Sequence, residues 1–207
     1  MIHGYHVILP MYGVWLPNDP RGAWSDVVWK WELLQYGRPR KSLERQSLVE
    51  LTPEELELRK QAQAALKYPY VQLNGDQALS VGTGFGNASR KNGYTIWACS
   101  ILPQHTHLVV ARHRYKVEQI ATLLKGAATT RIIADNRHPQ AGHRESDGSH
   151  PKMWAEKRWK VYLDSERQIE TAIRYVEENP ELEEKPRQQW SFVERFRGLD
   201  RGHVTYH

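Results

Sequence analysis

Two strand-like runs, Tyr94-Thr95-Ile96-Trp97-Ala98-Cys99-Ser100-Ile101-Leu102 and His107-Leu108-Val109-Val110-Ala111, follow one another with Pro103 and Gln104 between them. A gap that short leaves no room for a crossover, so the two strands pair antiparallel, and the rest of the chain has to be arranged around that pair. Tyr5-His6-Val7-Ile8-Leu9 reads as an earlier buried strand and Trp159 to Leu163 as a later short one. Val117, Ile120, Ala121, Leu124, Ala128 and Ile132 recur at helical spacing and predict an amphipathic helix over 116–134. Residues 75–91 read as a helix weakened by Gly82, Gly84 and Gly86. Those glycines do not have the spacing of a dinucleotide or phosphate loop, which leaves flexibility or close packing as their reason. The order is strand, helix, strand, strand, helix, strand, with one further helix. That is the split βαβ, or ferredoxin-like, arrangement: an α+β fold whose antiparallel sheet carries its helices on one face.

The remaining segments are placed by turn and cap chemistry. Gly13 to Gly22 is turn-rich, with Pro17, Asn18-Asp19 and Pro20, and it opens an insertion of roughly 14–74 after the first strand. Thr52-Pro53-Glu54-Glu55 starts a helix by a capping box and runs it to about Lys67. Residues 135–151 form a polar loop. Ser165 with Gln168 opens the last helix, which is expected to stop at Asn179-Pro180, leaving a tail of roughly 181–207. At 207 residues the chain suits one domain.

Charge and composition narrow the partner. Lys and Arg number 29 against 24 Asp and Glu, for a net charge of +5. Eight Trp and ten Tyr stand beside only three Phe. A basic balance favours a polyanion, and flat rings with polar edges suit exposed bases, although a solvated basic surface would look the same. The single cysteine, Cys99, sits in an apolar run, which excludes a disulfide framework and a thiolate zinc cluster. No segment approaches 18 apolar residues, so a cytoplasmic protein with no membrane partner is expected.

His105-Thr106-His107 opens a strand, and side chains two apart on a strand point to one face, where two imidazoles can share a cation. Alone, the pattern equally describes two partly exposed strand histidines. Tyr175 and Asn179 lie one turn apart on the last helix, on the flank of its apolar stripe Ile169, Ala172, Ile173 and Val176. A half-buried tyrosine and a helix-ending asparagine would look alike. Lys152, Trp154, Lys157, Arg158, Trp159 and Lys160 interleave cations with rings, and Lys125 and Arg131 on the preceding helix are further candidates for phosphate contacts. Core tryptophans and solvated cations are the alternative. Loop residues His138, His143 and His150 match no metal spacing and read as surface.

Ile101-Leu102-Pro103-Gln104-His105-Thr106-His107-Leu108-Val109-Val110 resembles the HUH signature of single-tyrosine transposases, and Tyr175-Val176-Glu177-Glu178-Asn179-Pro180 is similar to their nucleophile helix. REP-associated tyrosine transposases are the nearest resemblance. Gly13 to Gly22 and Trp190-Ser191-Phe192 also look familiar from that broad group. The resemblance implies an HUH-type fold, with Mg²⁺ or Mn²⁺ held by His105 and His107, Tyr175 as nucleophile, and Asn179 at the position of a third ligand. It further implies a prokaryotic enzyme that cleaves and rejoins single-stranded or hairpin DNA, at a REP-like element or transposon end, through a 5′-phosphotyrosine. A monomer is favoured over a homodimer on the same ground. The chemistry is consistent with these roles: a tyrosine hydroxyl with an ordinary pKa of about 10 is only about one part in a thousand ionised at neutral pH, so it needs a cation beside the phosphate it attacks. Two other functions stay open: a catalytically silent binder of hairpin DNA, and a metal-dependent phosphodiesterase that activates water.

Overall fold

The computed structural model describes residues 1–16, 52–156 and 159–199. Basic residues Arg38, Arg40, Lys41 and Arg45, candidates Lys157 and Arg158, and most of the 13–22 turn region lie outside that range. The elements run β1 (Gly4–Pro10), α1 (Pro53–Ala64), α2 (Gly75–Asn92), β2 (Ile96–Ile101), β3 (His105–Ala111), α3 (Val117–Ala134), β4 (Trp159–Leu163) and α4 (Glu166–Leu182). The four strands form one sheet in the order β2-β3-β1-β4, every neighbouring pair antiparallel. β1 and β2 are separated by β3, and β3 and β4 by β1, so each helical connection steps over one strand, as the ferredoxin-like arrangement requires.

Alternation along the strands divides the side chains between two layers. Val7, Leu9, Leu108, Val110, Cys99 and Ile101 meet Val81 and Phe85 of α2 and Ile120 and Leu124 of α3 in the larger core. Ala98, Val109 and Leu163 on the opposite face meet Ile169, Ala172 and Val176 of α4 in a smaller one. The expectation of helices on one face thus holds for the crossover pair α2 and α3. It is corrected for α4, whose own apolar stripe needs a surface that the other two helices do not offer.

The glycines of α2 are there for close approach. A Cβ at Gly84 would sit 2.6 Å from the Cα of Ala128, so α2 and α3 touch backbone to backbone, and one at Gly82 would sit 2.2 Å from the ring of Trp190. The helix forms despite its three interior glycines, with both ends well capped. Asn74 accepts from the Gln77 N–H at 2.9 Å while the Gln77 side chain returns to the Asn74 N–H, and Gly93 closes the other end at φ +73.

Two other boundaries differ from the sequence reading. α1 keeps its Thr52–Glu55 capping box but stops at Ala64, short of Lys67. α4 passes through Pro180, in its last turn, to Leu182, and Asn179 and Pro180 are both buried. Beyond α4 the chain turns back along the β2 edge. The Gln188 amide donates to the Ile101 carbonyl and accepts from the Ile101 N–H, both at 2.8 Å, and the Glu194 N–H donates to the Ile96 carbonyl at 2.8 Å. That strap covers an edge that would otherwise offer unpaired backbone groups. No helix among the described residues is long and apolar enough to cross a membrane.

Candidate functional site

The sheet face that carries α4 also carries the candidate site residues. Register places Ile8 of β1 opposite His107 and His6 opposite Val109, so His6, His105 and His107 share that face. His6 lies diagonally from His107, its Nε2 3.1 Å from His107 Nδ1, with the rings stacked at 5.3 Å and 28°. His105 meets His107 edge-on at 4.7 Å between ring centroids. All three are held by sheet backbone; His107 is 1 % exposed and His6 is 6 % exposed.

α4 supplies the other half. Tyr175 faces His107 at 5.5 Å and His6 at 5.7 Å between ring centroids, both edge-on. Asn179, one turn later and buried, donates from Nδ2 to the Tyr175 hydroxyl at 3.0 Å. Its Oδ1 is buried with no hydrogen-bond partner among the described residues. A buried amide oxygen in that condition is uncommon, and an amide oxygen is a donor that suits a divalent cation. No group of three or more His, Cys, Asp or Glu among the described residues could hold a metal ion.

Further groups surround the His105 and His6 rings. Trp15, on the chain just after β1, lies 5.7 Å from His105, and Glu183 at the C-terminal end of α4 brings Oε1 within 3.7 Å of His105 Nε2. Trp159, the first residue of β4, stands edge-on to His6 at 5.6 Å and 88°.

His105, His107, Tyr175 and Asn179, chosen from the sequence, are thus brought together, with Trp159 beside them. The other proposed DNA contacts are scattered. Trp154 is a core residue, 7 % exposed, stacked on Phe85 at 6.2 Å with its Nε1 donating to Thr129 Oγ1, so it has no face to offer a base. Lys160 points to the α3 side of the sheet, where it pairs with Glu118 and lies over the Tyr162 ring; the Glu118 contact raises its pKa above the ordinary lysine value. Arg131 pairs with Asp135 at 2.9 Å, Lys152 with Glu156 at 3.2 Å, and Lys125 donates to the Ala155 carbonyl at 2.7 Å. Alternation along β4 already separated Trp159 from Lys160, and the sequence pattern grouped them by neighbourhood instead.

His6, Trp15 and Glu183 are site residues that the sequence reading did not select. A single histidine in an apolar strand has no spacing partner to flag it, and the partner here comes from a strand about a hundred residues away. Its one signal is that a buried strand tolerates an imidazole only when the ring is hydrogen-bonded.

No protein-family model matches the chain, and no curated protein matches it. Among solved structures, it is similar to a candidate transposase from Deinococcus radiodurans R1, at 13 % identity over 84 % of this chain and 88 % of that one, with a TM-score of 0.37. It is also similar to a REP-associated tyrosine transposase bound to a REP hairpin, at 10 % identity over 94 % of this chain and 92 % of that one, with a TM-score of 0.46.

Proposed function

We propose that this chain is a metal-assisted DNA strand transferase, which cleaves and rejoins single-stranded, hairpin-associated DNA through a 5′-phosphotyrosine at Tyr175. The observation that carries the reading is the amide of Asn179. Its Nδ2 holds the Tyr175 hydroxyl, whose ring meets that of His107, while its Oδ1 lies buried without a hydrogen-bond partner among the described residues. One side chain thereby ties the nucleophile to the place where a cation would sit. The substrate class rests on the likeness of the residue 101–110 and 175–180 motifs to single-tyrosine transposases.

A divalent ion such as Mg²⁺ or Mn²⁺, held by His105, His107 and Asn179 Oδ1, would neutralise charge on the scissile phosphate and stabilise the departing 3′ oxygen. Everything else falls to the chain's own groups. The hydrogen bond from Asn179 fixes the position of the Tyr175 oxygen, so the attacking atom is oriented before substrate arrives. As the bond from that oxygen to phosphorus forms, the bond from phosphorus to the 3′ oxygen breaks; the phenol gives up its proton and the 3′ oxygen gains one. The phosphotyrosine conserves a phosphodiester, so a 3′-OH can later reverse the step and rejoin the strand. Trp15 and Trp159 flank the histidines and offer ring faces on which unpaired bases can stack.

The test is incubation of the protein with labelled single-stranded hairpin DNAs and Mn²⁺, resolved on a denaturing protein gel. DNA migrating with the wild type, and lost in both Tyr175→Phe and His105→Ala, is the expected result. Cut DNA without an adduct would replace this reading with a water-activating phosphodiesterase, and tight binding without cutting would replace it with a silent binder.

A further inference from the structure

We propose that His6 is a positioning residue, which fixes His107 in the tautomer that carries its proton on Nδ1 and so turns Nε2 toward a cation. The inference rests on the metal-assisted reading above and deepens it. A neutral imidazole has one protonated and one bare nitrogen, and only the bare one can bind a metal. The Nδ1 of His107 lies 3.1 Å from His6 Nε2, within hydrogen-bonding distance, and one of those two nitrogens carries the proton between them. If His6 donates, His107 is left protonated on Nε2 and useless as a ligand through that atom. If His107 donates, its Nε2 is bare, and His6 keeps its own proton on Nδ1. The two tautomers are complementary, and only the second leaves His107 able to bind a cation through Nε2.

The surroundings of His6 suit that task. It sits on β1, inside the sheet, so its backbone is held by pairing on both sides. Trp159 meets its ring edge-on at 5.6 Å and Tyr175 at 5.7 Å, so the ring is bounded on the flanks that His107 does not cover. Partners of this kind orient metal-binding histidines, and their loss typically weakens metal affinity by about 10–100-fold.

Two measurements on the full chain test the role. In metal-free protein, the ring nitrogen spectrum of His107 is expected to show the proton on Nδ1; a proton on Nε2 overturns the proposal without any metal being present. In Mn²⁺ titrations followed by calorimetry, His6→Leu is expected to bind about 10–100-fold more weakly than wild type. His6→Gln places a carbonyl oxygen near the position of Nε2 and is expected to recover most of the loss, with circular dichroism unchanged in both variants. Wild-type affinity in a folded His6→Leu, or no recovery in a folded His6→Gln, overturns the positioning role. If the wild type forms the DNA adduct while His6→Leu binds Mn²⁺ as tightly, Tyr175 chemistry stands and only the role of His6 falls. A wild type with neither Mn²⁺ affinity nor adduct overturns both.

Discussion

Among the described residues, one group of histidines stands on the sheet and another in the loop after α3, and their surroundings are opposite in kind. His6, His105 and His107 stand on paired strands, facing a tyrosine and an amide whose oxygen has no protein partner among the described residues. His138 and His150 also stack, at 4.4 Å and 28°, closer than any pair on the sheet. Yet Arg144 donates to His150 Nδ1 at 2.9 Å, and His138 Nδ1 accepts from the Gln140 N–H at 3.2 Å. A guanidinium beside an imidazole repels a second cation and occupies the nitrogen that would bind it. Ring proximity alone therefore does not make a metal site. The neighbours decide: on the sheet they include the oxygen-bearing side chains of Tyr175 and Glu183, whereas in the loop they are donors.

The loop also differs from its expected character. His138 is 4 % exposed and Gln140 is buried, its Nε2 donating to the Pro69 carbonyl at 2.6 Å, so the 135–151 segment is pinned to the chain ahead of α2. Of the three histidines read as surface, His138 is corrected to an anchor. A composition rich in Gly, Ser and charge describes most of that loop and conceals the buried pair His138 and Gln140.

The strongest way to break the contrast is to exchange the two groups in a Mn²⁺ titration. Replacing His105 and His107 together by Ala is expected to weaken binding by more than about 100-fold, equivalent to more than about 2.7 kcal/mol. Replacing His138, His143 and His150 together by Gln is expected to leave it unchanged. Equal losses would show that the neighbours do not decide.

Next in size is a dependence of stability on pH that belongs to the loop. Burial, followed by the charges of His150 and Arg144, lowers the pKa of His138 from its ordinary 6.5 to about 4. Between those values the unfolded chain holds a proton that the folded chain refuses. Its contribution is complete above pH 6.5 and is lost as pH falls toward 4, by up to about 3 kcal/mol. Thermal melts across that window should steepen this loss in the wild type and flatten it in His138→Asn; identical slopes would remove His138 from the account.

Gln140→Ala should cost about 1–2 kcal/mol in urea unfolding, through the lost bond to Pro69, while the DNA adduct forms at wild-type yield. A reduced yield would mean that the loop reaches the site. Smallest of all, Arg144→Ala should change stability by under about 1 kcal/mol, since its bonds are exposed, and should not create Zn²⁺ affinity. Tight Zn²⁺ binding in that variant would show that the guanidinium alone was holding a metal site closed.

Much of this was legible because it is periodic. The strand pair, the heptad-like stripe from Val117 to Ile132 and the flank position of Tyr175 and Asn179 follow from a repeat of two or of 3.6 residues, which a sequence displays directly. What was hidden depends on meetings between distant segments. His6 gains its partner from β3; the glycines of α2 fit against Ala128 and Trp190; α4 runs past Pro180, with Asn179 and Pro180 buried. Trp154 was misplaced for the converse reason, since cations next to it in sequence say nothing about the phenylalanine it stacks on.

The unequal layers on the two sides of the sheet have a consequence for how the protein should age on the bench. Two helices and most of the large buried side chains back one side, whereas the side carrying His107 and Tyr175 is backed by α4 in a cluster of six buried residues, three of them its own. On heating, the thinner layer is the one to loosen first, as a separate opening that leaves the sheet intact. Such a sample would still give a folded spectrum and a sharp melt, and yet have lost the alignment of its phenol with its imidazoles. Inactivation should therefore run ahead of unfolding by several degrees, and amide exchange in α4 should be faster than in α3 by the same opening.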